Sequence, residues 1–325
     1  AKDELDELVL DFFGIELKDA EEVTEVVTVE EKPSTAGRKP THPLVPEMIV
    51  NYPWGESLRP HHIRSLTGDI GDELIDSEKA INGGFLNTKS GLFEHATGSG
   101  KTGLGLITAA HMLEAGLDFV VVVVQKIAIG DQWWTQSLDW FNNPDSRYLK
   151  FNPLRSYTDS RGISERNKQL YLNSSIEPDD WPLVLPGGQL LITVSNTFFD
   201  NIDRIIECQN DGLKWGLIID EAHRLVTNGD SKIDELNRLE PEYKLALTAK
   251  FDHPKNPVSS QSVLDWIATD ENHTDKFPLS SALKKKYLKP YHFMLNLIEA
   301  TDDDSLKKNS QDFVIDNYDK LEHGP

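Results

Sequence analysis

The stretch ATGSGKT, residues 96–102, has the glycines, lysine and threonine of a phosphate-binding loop. Gly98 and Gly100 allow the backbone to curl so that successive N–H groups point inward. The helix expected from Lys101 adds partial positive charge at its N-terminus, which suits a polyphosphate. In the motif G-x-x-x-x-G-K-[ST], the lysine reaches the β- and γ-phosphates and the residue at the position of Thr102 ligates Mg²⁺.

His95 precedes this loop, at or next to the position where the motif usually has Gly or Ala. A residue there shapes the turn and does not bind phosphate through its side chain. The pattern of a short strand, GLFEH, followed by a glycine-rich turn and an apolar helix therefore still predicts a nucleotide site.

An acidic pair follows a second apolar stretch, in WGLIIDEAHR. The strand predicted over 217–219 delivers Asp220 and Glu221 at its carboxyl end, where ligands bind in open α/β sheets. Asp220 is placed to hold Mg²⁺, usually through water, and Glu221 to polarise the attacking water as a general base. With the phosphate-binding loop expected on a neighbouring strand, the two motifs predict Mg²⁺-dependent hydrolysis of a nucleoside triphosphate.

Predicted strands and helices alternate along the chain from about residue 51. The predicted strands are GLFEH (91–95), DFVVVVVQ (118–125), 189–194, WGLIIDE (215–221), YKLALTA (243–249) and KPYHFMLNLIE (289–299). The predicted helices are 101–115, 130–141 and a helix that ends near residue 207. The run DFVVVVVQ is β-branched and continuously apolar, which is typical of a parallel strand buried on both faces. The fold class is therefore α/β, with an open, mostly parallel sheet and helices on both faces.

The first 50 residues are predicted to be an acidic N-terminal appendage. Residues 1–32 contain 12 acidic and 3 basic residues, within a net charge of −21 for the chain. A short apolar helix in 5–13 either packs on its own domain or binds a partner. Residues 20–46, rich in Glu, Thr and Pro, are typical of an extended linker.

Composition excludes several classes of protein. Cys208 is the only cysteine, so disulfides and cysteine-based zinc sites are excluded and a cytoplasmic protein is expected. No apolar run is long enough for a membrane span, so no transmembrane helix is expected. The first residues, AKDELDELVL, do not have the basic start and apolar stretch of a signal peptide. Because the chain is acidic, any contact with nucleic acid must be local or must depend on parts outside this chain. The one dense basic run, KKKYLK (284–289), is either a solvated helix end or a phosphate-contacting patch.

The sequence DEAH, residues 220–223, resembles the signature of superfamily 2 helicases and translocases. Other stretches occur in the order that this superfamily requires: LRPHHIRSL (58–66), ATGSGKT (96–102), VVVVVQKIAIGDQW (120–133), LLITVSNTF (190–198), LALTAK (245–250) and FPLSSALKKKYLKPYHFMLNLIEA (277–300). The loop and the last stretch are similar to those of the helicase subunits of type III restriction enzymes. The resemblance covers roughly residues 52–300.

The resemblance implies that residues 51–300 form a RecA-like P-loop domain that binds ATP and Mg²⁺ and contacts nucleic acid through loops on one face. It implies that hydrolysis is carried by Glu221, Lys101 and Asp220, and that Mg²⁺ is ligated by Thr102 and Asp220. The implied nucleotide contacts are Thr97, Gly98, Ser99, Gly100, Lys101, Thr102, His62 and Arg59. The residues implied to couple hydrolysis to motion are His223, Thr248 and Lys250, and the implied nucleic-acid contacts are Lys126, Gln132, Trp133, Thr193 and Asn196. For Trp133 and Trp134, packing in the core is an equally open interpretation.

Three residues depart from the superfamily pattern. His62 stands where a Gln usually reads the adenine edge, and its imidazole can also donate or accept a hydrogen bond. Gln125 stands where Pro usually follows the strand. Lys250 stands where Thr is usual, and there it can pair with Glu221, touch phosphate or disturb coupling.

A superfamily 2 motor has two RecA-like domains, and the second supplies arginine fingers in a motif Q-x-x-G-R-x-x-R. That motif is not in this chain, and residues 301–325 are predicted to be a polar helix and tail. Because an arginine finger raises the rate by orders of magnitude, we expect this chain alone to hydrolyse ATP slowly. A second RecA-like lobe, in cis or in trans, is an expected partner.

Two classes of function remain open. The first is the ATPase lobe of a DNA helicase or translocase related to restriction or antiphage defence, acting on duplex DNA more readily than RNA, with a nuclease or methyltransferase as a possible partner and no membrane. The second is a nucleotide-binding regulatory or scaffold module without motor activity, which the departures at His62 and Lys250 favour. An RNA helicase is a weaker third interpretation.

Overall fold

The computed structural model describes residues 58–68, 74–75, 77–141, 153–157, 171–185, 187–227, 231–251, 257–267 and 273–288. The chain divides into two units, residues 1–288 and 289–325, and every described residue lies in the first. The predicted N-terminal helix (5–13), the linker (20–46), the strand at 289–299 and the tail (301–325) lie outside the described residues.

The described residues contain seven strands in a single sheet. The strands are β1 (Ser90–His95), β2 (Phe119–Val124), β3 (Pro153–Ser156), β4 (Gln189–Val194), β5 (Trp215–Asp220), β6 (Tyr243–Thr248) and β7 (Thr274–Phe277). Their order across the sheet is β3-β4-β2-β5-β6-β1-β7, and every adjacent pair is parallel. The α/β prediction of an open parallel sheet is confirmed.

Helices cover both faces of this sheet. They are α1 (Pro60–Thr67), α2 (Phe85–Thr88), α3 (Lys101–Glu114), α4 (Ile127–Phe141), α5 (Trp181–Val184), α6 (Ser195–Asp200), α7 (Ile202–Asn210), α8 (His223–Thr227), α9 (Ser231–Leu236), α10 (Pro257–Ile267) and α11 (Leu279–Lys284). A 3₁₀ turn at Pro178–Asp180 precedes α5. None of the helices in these ranges is long and apolar enough to cross a membrane.

Strand β2 shows how the sheet separates two cores. All six of its side chains are buried, and alternate side chains point to opposite faces. Val120, Val122 and Val124 pack in the core that contains α3 and α4. Phe119, Val121 and Val123 pack in the core that contains α6 and α7. A continuous β-branched run is what burial on both faces requires.

Several helices and strands differ from the predicted ones in their bounds or number. Helix α4 begins at Ile127, three residues before the predicted start at Gly130. Two helices, α6 and α7, stand in place of the one predicted after β4, and Asn201 lies between them. The strands β3 (PLRS) and β7 (TDKF) were not predicted, because each is short and carries polar residues on the sheet edge.

The expectation that the loop strand and the DEAH strand are neighbours is wrong. Strand β6 lies between β1 and β5, and it pairs with both. The three strands are parallel, so their carboxyl ends still meet at one edge of the sheet. The loop after β1 and the acidic pair after β5 are therefore brought together across the end of β6.

A buried histidine on α3 gives the fold a pH dependence. Burial lowers the pKa of His111 to about 4, and its Nε2 has no hydrogen-bond partner in the part of the chain that the structure describes. Because the unfolded chain then binds the extra proton, stability is lost as the pH falls from about 6.5 towards 4.

We predict that His111→Leu reduces the loss of unfolding free energy between pH 7 and pH 5 by about 2 kcal/mol. Urea unfolding at the two pH values measures this difference. Thr108→Val is the matched control, because it removes a buried hydroxyl from the same helix without a titrating group. An equal pH dependence in wild type and His111→Leu would contradict the assignment.

Candidate nucleotide site

The glycine-rich loop joins β1 to α3. Gly98 and Gly100 have φ angles of 79° and 98°, a left-handed conformation that favours glycine. The Ser99 N–H donates to the Ala96 carbonyl, and the Leu104 N–H donates to the Gly100 carbonyl, 3.0 Å away, as α3 begins. The strand, turn and helix predicted around the loop are thus confirmed.

Lys101 folds back over the loop. Its Nζ donates to the carbonyl oxygens of His95 and Ala96, at 2.8 and 3.2 Å. Burial lowers the pKa of this ammonium group, and the negative charges of Glu221 and Asp220 oppose that effect. The loop lysine and the acidic pair therefore share one electrostatic environment, as the sequence predicts.

Asp220 is the last residue of β5, and its side chain is nearly buried. Its Oδ1 accepts a hydrogen bond from the Glu221 N–H at 2.9 Å, and its Oδ2 accepts one from the Trp133 indole at 2.8 Å. Burial raises the pKa of Asp220, while the bond from Trp133 and the charge of Lys101 oppose this rise. The carboxylate is held at both oxygens.

The backbone at Glu221 has a conformation that residues other than glycine rarely adopt. Its φ is 52°, in the left-handed region. Its Oε2 lies 3.2 Å from His223 Nδ1, and this hydrogen bond lowers the pKa of Glu221. The strained turn sends the side chains of Asp220 and Glu221 to different partners.

His223 connects the acidic pair to the end of β6. Its Nδ1 lies 2.9 Å from Thr248 Oγ1, and the Thr248 hydroxyl donates to the Lys250 carbonyl at 3.1 Å. The hydroxyl proton is thus used, so His223 Nδ1 carries a proton, which it shares between Thr248 Oγ1 and Glu221 Oε2. Lys250 itself is exposed, and Glu221 pairs with His223 and not with Lys250.

His62 lies under the loop, and both of its ring nitrogens are engaged. Nδ1 accepts from the Arg59 N–H at 3.3 Å, so Nε2 carries the proton and donates to the Ser99 carbonyl at 2.8 Å. Burial lowers the pKa of His62 to about 3, which keeps the ring neutral. The donor and acceptor of this ring both hold the loop, and its contact with the adenine edge stays a prediction.

Comparison with protein families identifies the lobe. The model of the family described as "Type III restriction enzyme, res subunit" matches residues 69–253, more than half of the chain. The chain belongs to this family. The described residues form a helicase-type lobe similar to that of this family, called the res lobe below. Helix α1, with His62, and strand β7 lie outside the matched span.

Solved structures with a similar fold cover parts of the chain. The Pyrococcus furiosus Hef helicase domain has 17% identity and a TM-score of 0.42, over 64% of this chain and 40% of that one. The Sulfolobus solfataricus SWI2/SNF2 ATPase core in complex with dsDNA has 15% identity and a TM-score of 0.37, over 57% and 33%. A nuclease-deletion mutant of the type ISP restriction-modification enzyme LlaGI, in complex with a DNA substrate mimic, has 20% identity and a TM-score of 0.33, over 53% and 18%.

The res lobe spans less than half the length of each of these three structures. No curated protein sequence matches the chain.

The side chain of His95 does not face the loop. It is fully buried, and its Nε2 lies 2.7 Å from Asp275 Oδ1 on β7. Asp275 also accepts two hydrogen bonds from Arg64 on α1, at 3.1 and 2.9 Å, and Arg64 pairs further with Glu78. Lys285, in the basic run 284–289, completes the network by an ion pair with Glu78. Lys285 thus has a structural role that neither interpretation of the basic run predicted.

This network ties α1 and the edge strand β7 to the strand that enters the loop. Burial alone would raise the pKa of Asp275, but hydrogen bonds from His95 and Arg64 lower it below its ordinary value. Burial lowers the pKa of His95, which keeps the ring neutral. The one sequence signal of the network is Arg64 on α1, a charge that needs a partner if it is buried.

The residues predicted to contact nucleic acid fall into two groups. Lys126, Gln132 and Asn196 are exposed. Trp133 and Thr193 are fully buried, and the expectation that they lie near a nucleic-acid backbone is corrected. The indole of Trp133 binds Asp220, and the Thr193 hydroxyl donates to the Ser156 carbonyl at 3.3 Å on β3. Of the two interpretations of the Trp pair, core packing is the one observed.

The donors around the loop fit a magnesium-bound nucleotide. Ser99 Oγ and Arg59 Nη1 are buried without a hydrogen-bond partner in the described residues, as expected for groups that a ligand would satisfy. A Cβ at Gly100 would stand 2.9 Å from His62 Cε1, so a side chain there would obstruct the turn. A hydroxyl and a carboxylate, at Thr102 and Asp220, are oxygen ligands that suit Mg²⁺.

We predict that Asp275→Asn lowers the free energy of unfolding by about 3 kcal/mol, because it leaves the buried Arg64 with one carboxylate fewer. Urea unfolding at pH 7 measures the change. The matched control is Glu242→Gln, which breaks the exposed Lys89–Glu242 pair and should cost at most about 1 kcal/mol. Equal losses in the two variants would contradict the structural role of the network.

Proposed function

We propose that the res lobe is the ATP-binding lobe of a DNA-dependent ATPase, a helicase or translocase related to restriction or antiphage defence. The observation that carries the proposal is the meeting of Lys101, Asp220 and Glu221 at one edge of the sheet. The family match supports a helicase-type ATPase. A RecA-like lobe over residues 51–300 and a cytoplasmic location belong to the same proposal.

In this proposal the loop backbone from Thr97 to Gly100 cradles the phosphates of ATP. Phosphate oxygens replace the carbonyls of His95 and Ala96 as partners of the Lys101 ammonium group. Helicase-type domains use Mg²⁺ with ATP, and here Thr102 and Asp220 would hold the ion, which neutralises charge on the transferred phosphoryl group. Arg59 and His62 are the further candidates for a nucleotide contact.

Glu221 acts as the general base in this proposal. The bond from His223 keeps the pKa of Glu221 low, so the carboxylate is ionised and can accept a proton from the attacking water. His223 and Thr248 link this carboxylate to the end of β6, where Lys250 begins the next loop. They are the proposed route by which a second RecA-like lobe, in cis or in trans, senses hydrolysis.

The proposed DNA contacts lie at the same edge, on the other half of the sheet. Strands β2 and β4 pair in register, with Val124 opposite Val194. Lys126 and Asn196 follow these two residues by the same two positions, and both are exposed. They therefore lie side by side near the starts of α4 and α6, whose N-terminal N–H groups favour phosphate. Gln132 adds a polar group on α4.

We predict that Lys126→Ala weakens duplex DNA binding and lowers the salt slope of log K by about 1, because one phosphate contact is lost. Fluorescence anisotropy over a range of salt concentrations measures both. Lys214→Ala is the matched control, because Lys214 is exposed but lies at the amino end of β5, on the opposite edge. Equal effects of the two variants would contradict this placement of the DNA contacts.

We predict that Lys101→Ala abolishes ATP hydrolysis and its stimulation by duplex DNA, since the phosphates lose their cation. The assay compares wild type and variant, each with and without DNA and with a second RecA-like lobe supplied in trans. The same assay with single-stranded RNA in place of DNA distinguishes a DNA-dependent ATPase from the weaker interpretation, an RNA helicase.

A second outcome of the same assay has a defined meaning. Tight ATP binding by wild type with no stimulation by DNA, even with the second lobe present, would favour a nucleotide-binding module without motor activity. The exposed Lys250, in place of a threonine, is the feature that favours this alternative. If that outcome is observed, the next measurement is the binding of a nuclease or methyltransferase partner to the lobe.

A further inference from the structure

Two adjacent tryptophans on α4 have different surroundings. Trp133 and Trp134 are both fully buried. The indole N–H of Trp133 donates to Asp220 Oδ2 at 2.8 Å. Among the described residues the indole nitrogen of Trp134 has no hydrogen-bond partner, and its ring packs edge-on against Tyr171, with ring centroids 5.1 Å apart. Two side chains of one type and equal burial therefore differ in a single polar contact.

The ring of Trp133 is fixed by the helix that follows the loop. A Cβ at Gly105 on α3 would stand 2.3 Å from Trp133 Cη2 and 3.0 Å from a methyl group of Leu247 on β6. The indole thus fills the space that a glycine leaves open, against the end of the strand that separates β1 from β5. With such close neighbours its N–H has little freedom to leave Asp220.

The contact also decides how Asp220 presents its oxygens. An ionised carboxylate has about four lone-pair sites. The Glu221 N–H occupies one at Oδ1, and Trp133 occupies one at Oδ2. Two donors on different oxygens fix the rotation of the carboxylate plane, and they leave one site on each oxygen for other partners. A ligand to a metal or its water needs this fixed orientation.

We propose that Trp133 is a positioning residue, whose indole N–H orients Asp220 for the magnesium ion of bound nucleotide. The inference rests on the proposed function of the site, and it concerns the part that α4 plays there. Trp133 does not touch nucleotide. Its bond to Asp220 uses only groups of this chain, so it orients the carboxylate without help from a ligand.

The test is the effect of Mg²⁺ on ATP affinity, measured on the whole chain by isothermal titration calorimetry. The ratio of the dissociation constant in EDTA to that in Mg²⁺ isolates the contribution of the ion. Trp133→Phe keeps the aromatic bulk but removes the donor, and the ratio should fall about tenfold, the effect of losing a hydrogen bond to a charged group. The affinity in EDTA should stay at its wild-type value, which also shows that the variant is folded.

Two further variants separate the hydrogen bond from packing. Trp134→Phe makes the same change one residue away and should keep the wild-type ratio. Trp133→His removes bulk but keeps a ring N–H, because imidazole Nε2 superposes on indole Nε1, and it should keep more of the ratio than Trp133→Phe. If Trp133→Phe does not fold, Trp133→Met serves as the donor-free variant.

The outcomes are distinct for the two proposals. A wild-type ratio in Trp133→Phe would overturn the positioning role while the nucleotide site stands. Equal losses in Trp133→Phe and Trp133→His would show that packing, and not the N–H, matters, and would overturn it too. Wild type that binds no ATP, or binds it equally with and without Mg²⁺, would overturn the proposed function and this inference together.

Discussion

The site depends on the parallel register of three adjacent strands, β5, β6 and β1. Asp220 lies opposite Leu247, and Thr248 lies opposite Glu94, so the three strands end at the same level. The Ala222 N–H donates to the Leu247 carbonyl and holds the DEAH turn on the end of β6. A one-residue slip in any of these pairings would turn the acidic pair away from the loop.

Burial changes the pKa values of the side chains at this edge of the sheet. Burial lowers the pKa of Lys101 and raises that of Asp220, and the opposite charges across the site, among them Glu221, oppose both shifts. The two histidines within hydrogen-bond distance of the Ser99 carbonyl, His61 and His62, have pKa values lowered by burial and are neutral. The positive charge that faces a phosphate is thus concentrated on one ammonium group, with no second cation from the histidines beneath the loop.

The sequence predicts the central strands and the chemistry of the loop, because β-branched runs and glycine spacing are local signals. It does not predict β7, which carries Asp275 opposite the loop strand, because TDKF has no apolar pattern. It places Trp133 equally in the core and near nucleic acid, because burial at the end of a strand depends on distant packing. It misplaces β6, since strand order is set by crossovers and not by local pattern.

The central claim is that ATP phosphates bind the loop at the carboxyl edge of β1. Hydrogen exchange of the backbone amides, with and without Mg²⁺ and ATP, tests it most directly. The account predicts slower exchange at residues 98–102 and at Glu221, with no change at the amino end of β5, near Lys214. Unchanged exchange in the loop, with protection elsewhere, would contradict it.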